Sequence, residues 1–175
     1  MDRLEAAEDR IRWRAERADT LVIDALTGLP TQGAGLRLLQ KELDSTVGEP
    51  YTVALLVADQ PTPLAGSLPR NVDSAVCELA QALRAETTGL DLAFCWAGDQ
   101  IAIGFHGVVA DLAAERLHRI ASRIFQNGLS LHAGLAERAG SDSPEDLIRH
   151  AGDTLGLIAV EEDETGAVPA DGSHT

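Results

Sequence analysis

The chain has 175 residues, 45% of them hydrophobic and 3% aromatic, with a formal net charge of −14. That length suggests one domain with appendages, and the hydrophobic share is ample for a core built from Leu, Ile, Val and Ala. So negative a chain excludes a general nucleic-acid or anionic-membrane surface, since both partners carry the same sign, and it disfavours polyanionic ligands wherever local Arg or Lys does not offset the field.

The opening stretch MDRLEAAEDRIRWR is charged throughout and has no apolar signal core. No apolar run approaches the length of a membrane span, so a cytoplasmic protein is expected. Residues 1–23 are predicted as an N-terminal amphipathic helix. Leu4, Ile11 and Ala18 recur every seven residues, with Ala7 and Leu21 as partial d positions and Arg14 at the d position between them. Two readings stay open: a helix packed on its own domain, or a short coiled coil that pairs two chains through residues 2–23.

Residues 24–160 alternate helix and strand patterns. TQGAGLRLLQKELDS carries Leu36, Leu39 and Leu43 at helical spacing. YTVALLVA is a continuous apolar run, which predicts a central strand buried on both faces. DSAVCELAQALRAE puts Val76, Leu79, Ala80 and Leu83 on one helical face. FCWAGDQIAIGF reads as a hairpin turning on Gly98 and Asp99, with Leu92, Phe94 and Trp96 on one face of its first strand. Ile101, Ile103 and Phe105 share one face of its second. DLAAERLHRIASRIF has a stripe of Ala113, Leu117, Ile120 and Ile124, and LSLHAGLA reads as another strand. SPEDLIRHAGDTLGLI reads as a helix with Ser143 as N-cap, Pro144 at the first position and acids in the first turn. The order is α-β-α-β-β-α-β-α. A tight hairpin cannot be parallel, so a mixed sheet is expected. Residues 161–175, EEDETGAVPADGSHT, read as a disordered acidic tail.

The two cysteines, Cys77 and Cys95, fall in a helix and a strand pattern. Both read as small core residues, reduced and without metal-ligand spacing. No histidine pairs at i, i+4 with another ligand, so a zinc site is not expected; His132 reads as a core or edge histidine within its strand.

Three motifs accompany this element order. DALTGLP at residues 24–30 is similar to D-x-L-T-G-L-P-N, with Thr31 in place of Asn. AGDQI at residues 97–101 stands between two strands where a G-G-D-E-F turn belongs. LSLHAGLA followed by PEDLIRHAGDTL is similar to an S-I-G-V-A strand and an A-D-x-A-L-Y-x-A-K helix. Together they resemble the bacterial GGDEF domain, the diguanylate cyclase fold. The resemblance implies a palm-like α/β sandwich shared with nucleotide cyclases, its central mixed sheet flanked by helices and preceded by an N-terminal helix.

A cyclase of this kind makes a 3′-hydroxyl attack an α-phosphate, which needs divalent cations held by carboxylates and donors for the phosphates. The resemblance implies a metal role for Asp99, at the third turn position. Asp59 either fills the other metal role or matches the second Asp of D-x-D-x-F-K, and in that register Val57 stands at the metal position. Gly98 is retained, but Ala97 replaces the first turn glycine and neutral Gln100 replaces the fourth-position acid. Where the family has F-K-x-x-N-D, this chain has QPTPLAGSLP, in which Pro61 and Pro63 have no N–H to donate. Ala159 stands near the position of the phosphate-binding Lys, followed by Glu161, Glu162 and Asp163, and Gly156 takes the place of the family's Tyr. The product-inhibition motif R-x-x-D is matched by Thr88, Gly89, Leu90 and Asp91, so its Arg is missing. The Arg before the turn is Cys95.

Each survivor also has a plain structural reading. Gly98 and Asp99 form a common turn pair, Asp91 can cap a turn, and Asp24 can orient its own loop. The expectation is therefore no working catalytic residue, with Ala97, Gly98, Asp99 and Gln100 vestigial. No metal is expected at the vestigial pair Asp59 and Asp99, and no ligand at the vestigial Asp91. The expected function is that of a catalytically inactive signalling or protein-interaction module, with a protein partner or a weak homodimer formed through residues 2–23. The alternatives are a diguanylate cyclase with an eroded motif, using Mg²⁺ to convert two GTP to cyclic di-GMP, and a non-catalytic GTP or cyclic di-GMP sensor.

Overall fold

The computed structural model describes residues 22–60, 72–89 and 91–160. The expected helix before residue 22, the proline-bearing loop at Pro61 and Pro63 and the acidic tail lie outside the described residues. Val22 and Ile23, expected to close that helix, are extended instead: Ile23 bridges Pro30, and Thr31 N–H donates to the Val22 carbonyl at 2.9 Å.

The elements are α1 (Gln32–Ser45), β1 (Tyr51–Asp59), α2 (Val72–Glu86), β2 (Leu92–Cys95), β3 (Gln100–His106), α3 (Ala110–Phe125), β4 (Ser130–Glu137), α4 (Pro144–Asp153) and β5 (Gly156–Leu157). The strands form one five-stranded sheet in the order β2-β3-β1-β4-β5. The continuous apolar run of β1 takes the centre, as its composition predicts. The sheet is not mixed: every pairing is antiparallel. The crossover through α3 does make β3 and β4 run the same way. Because β1 lies between them and opposes both, no parallel pair is hydrogen-bonded.

Helices cover both faces. Alternation along the strands sends Ala54, Leu56, Ile101, Ile103, Phe105, Leu131 and Ala133 to one face, under α2 and α3. It sends Val53, Leu55, Leu92, Phe94 and Ala102 to the other, under α1 and α4. The predicted stripes of α2 and α3 are buried in full. On α1 the buried face is Leu38, Leu39 and Leu43, with Leu36 only partly covered. Each fully buried Leu or Ile stabilises by roughly 1.5–3 kcal/mol, so these two cores hold the fold.

The capping sequence of α4 behaves as read. Ser143 Oγ accepts from Asp146 N–H, the Asp146 carboxylate accepts from Ser143 N–H, and Pro144 fills the first turn. These bonds hold the exposed Asp146 carboxyl below its ordinary range, the Ser143 hydroxyl being the largest cause. The helix ends earlier than its sequence suggested, at Asp153. Thr154 Oγ1 accepts from Leu135 N–H at 3.2 Å, and Gly156 and Leu157 turn into β5 against β4. The close approach of α4 to the sheet requires Gly134, since a Cβ there would stand 1.7 Å from the Ala151 carbonyl oxygen.

Opposite the hairpin end, Tyr51 donates to the buried Glu42 carboxylate. The Arg138 guanidinium donates to the carbonyls of Leu43, Thr46 and Glu49, closing the C-terminal end of α1.

Candidate functional site

Three pieces meet at one end of the sheet: the loop of residues 24–30, the hairpin turn and the end of β1. The loop folds on Asp24. Its carboxylate accepts from Thr27 N–H at 2.9 Å and from the Thr27 hydroxyl at 2.8 Å. These two bonds, the backbone one first, lower the Asp24 pKa against a smaller opposing effect of burial. Gly28 N–H closes the turn onto the Asp24 carbonyl at 2.8 Å, with φ +72° at Gly28. Asp24 thus orients its loop, as its plain reading has it.

Both cysteines also touch this loop. Both are half-buried rather than buried, and Cys95 packs against the core under α2 and α3. The Cys77 thiol donates to the Leu26 carbonyl at 3.3 Å. Cys95 Sγ lies 3.2 Å from Thr27 Oγ1. The single proton of Thr27 is already given to Asp24, so the Cys95 thiol is the donor and stays protonated. Burial, the largest cause, pushes its pKa up. Arg84 reaches over from α2 to donate to the Thr27 carbonyl.

The hairpin turn runs over Ala97, Gly98, Asp99 and Gln100. Gln100 N–H donates to the Ala97 carbonyl at 3.0 Å, and Trp96 N–H donates to the Gln100 carbonyl at 2.8 Å. Gly98 has φ +59°, and among the described residues no non-glycine residue has a positive φ. Glycine at the first central position of a tight hairpin turn is the type II′ pattern, so Gly98 has a structural reason to be present.

The strand ladder fixes what faces this turn. Val57 lies opposite Gln100 on one side and opposite His132 on the other, and His132 lies opposite Leu157. Directly opposed residues share a face, so Gln100, Val57, His132 and Leu157 form one row on the α1/α4 face. Asp59 lies two positions beyond Val57, exposed, opposite Ser130. Asp59 and Asp99 therefore emerge at the same end of neighbouring strands, while the position facing the turn is aliphatic. Among the described residues, no group of three or more His, Cys, Asp or Glu is placed to hold a metal ion.

Beside the turn lies a cleft of about 230 Å³, lined by Leu26, Val76 and Ile101 with Trp96, Thr31 and Gln100 among its polar-edged walls. It joins the loop to the turn, two segments that the sequence singled out separately.

Asp91 is away from this cleft. Thr88 N–H donates to its carboxylate at 2.8 Å, so it does cap a turn. Its principal partner is Arg116 on α3. Nη1 donates to Oδ1 at 3.0 Å, and Nη2 donates to Oδ2. Arg116 also donates to the Glu86 carbonyl and lies over the Phe105 ring. Sequence reasoning missed Arg116, because it flanks the predicted stripe of α3 and nothing local ties it to Asp91.

This architecture, helices on both faces of an antiparallel sheet with a tight turn beside the central strand, is the fold of GGDEF domains. The GGDEF domain of DgcB from Caulobacter crescentus, solved in complex with cyclic di-GMP, superposes with a TM-score of 0.66 at 18% identity, over 75% of this chain and 83% of that one. Diguanylate cyclase SiaD from Pseudomonas aeruginosa, solved with its activator SiaC, gives 0.68 at 19% identity, over 87% of this chain and 63% of that one. The FimX GGDEF domain from Pseudomonas aeruginosa gives 0.62 at 20% identity, over 75% and 90%. No model of a protein family matches the sequence, and no curated protein matches it. None of the helices among the described residues is long and apolar enough to cross a membrane.

Proposed function

We propose that this chain is a GGDEF-family domain without cyclase activity, serving in the cytoplasm as a signalling or protein-interaction module. The observation that carries this reading is the pairing of Val57 with Gln100. It supports the register in which Val57 stands at the metal position, and neither side chain can hold a hard divalent cation as a carboxylate does. The alanine at turn position 97 and the prolines Pro61 and Pro63, in the stretch of sequence after β1, remove further parts of the machinery. Incubation with GTP and Mg²⁺ or Mn²⁺, followed by assay for cyclic di-GMP, tests the proposal. No product is expected; turnover that Asp99→Ala abolishes would overturn it.

The cleft of about 230 Å³ beside the turn favours a second reading, a nucleotide sensor without turnover. Its apolar walls and the Trp96 ring suit a planar base. Calorimetry against GTP and cyclic di-GMP with Mg²⁺ separates the two readings.

The partner of the module is a protein or a second copy of the chain, engaged through residues 2–23. A similar fold meets a protein activator in the SiaD complex. Arg14 at a d position limits self-pairing to a weak homodimer. Analytical ultracentrifugation of the full chain beside one starting at Asp24 decides the point. An unchanged association state would assign the helix to its own domain.

A further inference from the structure

We propose that the acidic segment at residues 161–164 docks within its own chain, on the basic outer surface of α3 formed by Arg119, Arg123 and His118. Residues 161–175 carry five acids, Glu161, Glu162, Asp163, Glu164 and Asp171, and no Lys or Arg. On α3 the charge is reversed locally. The side chains of Arg119 and Arg123 are 61% and 50% exposed and, among the described residues, both pair with the Glu86 carboxylate, at 3.7 and 2.8 Å. Glu115 stands four positions, about one helical turn, before Arg119 in α3. The two arginines, His118, Ser122 and Gln126 line an open hollow of about 440 Å³ with Glu86. In a chain of net charge −14, two guanidinium groups on one carboxylate make a rare place where an anion is attracted.

The path of the chain brings the acids to this place. Ile158 N–H donates to the Leu131 carbonyl at 2.8 Å, and Ile158 and Val160 pack on the core layer that α3 covers. The chain therefore leaves Val160 at the core layer that α2 and α3 cover together. A helix is about 10–12 Å across, and four extended residues span up to about 13 Å, so Glu161 to Glu164 can reach across its outer surface. The contact is solvent-exposed, and its strength falls with salt over a Debye length of about 8 Å at physiological ionic strength.

The test uses the full chain and a variant with Glu161→Gln, Glu162→Gln, Asp163→Asn and Glu164→Gln. Neutralisation is expected to shift the amide resonances of residues 118–126, and raising the NaCl concentration is expected to move the wild-type resonances the same way. Inorganic pyrophosphate is expected to bind the variant about fivefold or more tighter than the wild type, because a tethered competitor has been removed. Loss of that binding in Arg119→Gln/Arg123→Gln would place it in the hollow. Unchanged α3 resonances on neutralisation would overturn the proposal, as would equal pyrophosphate affinity in the two chains. An acidic segment that instead engages the arginines of residues 2–21 gives that same negative result on α3.

Discussion

Arg116 grips Asp91 through both guanidinium nitrogens, from a position 25 residues further along the chain. The Asp91 side chain is 2% exposed and that of Arg116 15%, so the pair is largely out of water. A charge left alone in that setting is strongly destabilising. Arg116→Ala is expected to cost about 3–5 kcal/mol in urea-induced unfolding. Replacing both residues together, as Asp91→Leu/Arg116→Leu, should cost clearly less than the sum of the single changes. Additive losses would show that the two charges do not interact.

The same grip bears on cyclic di-GMP. The carboxylate that an R-x-x-D site would turn toward a ligand is here committed to Arg116, and Thr88 replaces the family's Arg. Calorimetry is expected to show no cyclic di-GMP binding of micromolar affinity or tighter that depends on Asp91. Such binding in the wild type, lost in Asp91→Asn, would show that the inhibitory site survives.

Asp24 gives the loop of residues 24–30 a pH dependence. Its folded pKa lies below the ordinary value of 3.8, so its contribution is present above that value and lost as pH falls through the lower folded one. Asp24→Asn is expected to destabilise by about 1 kcal/mol at neutral pH, kept small by solvent exposure. Thermal melts should converge for the two proteins below pH 3.8. A constant gap across the acid range would mean that the charge plays no part.

Two glycines should respond very differently to alanine. At Gly134 the new methyl meets backbone, 1.7 Å from the Ala151 oxygen, and α4 must move away from the sheet. A loss of about 3 kcal/mol or more is expected there. Gly98 has open space around it and only its positive φ to defend, so about 1 kcal/mol is expected. Equal losses would show that crowding at α4 is relieved elsewhere.

What the sequence reveals divides by the range of the interaction. The unbroken apolar run of β1, the stripe on α3 and the Ser143 cap are local patterns, and each takes its predicted place. The hairpin faces follow for the same reason, Phe94 going to one core and Ile103 to the other. β5 escapes because two residues carry no period, so Gly156 and Leu157 pass as the end of a helix. The antiparallel character of the whole sheet depends on which strand lies between which, and no single segment encodes that order. The cysteines looked like core filler, but contacts across 51 and 68 positions bring both thiols to the loop begun by Asp24. The facing of Val57 and Gln100 is likewise a property of register between distant strands, which no local pattern carries.

The sheet is cut short at both borders. β5 has two residues, and β2 has four, with Cys95 N–H already given to the Pro30 carbonyl at 2.9 Å. A passing strand would find little continuous backbone on which to template itself. Among the described residues, then, crowding should not drive copies of this domain to zip into fibrils, and concentrated solutions should stay clear so long as the fold is intact.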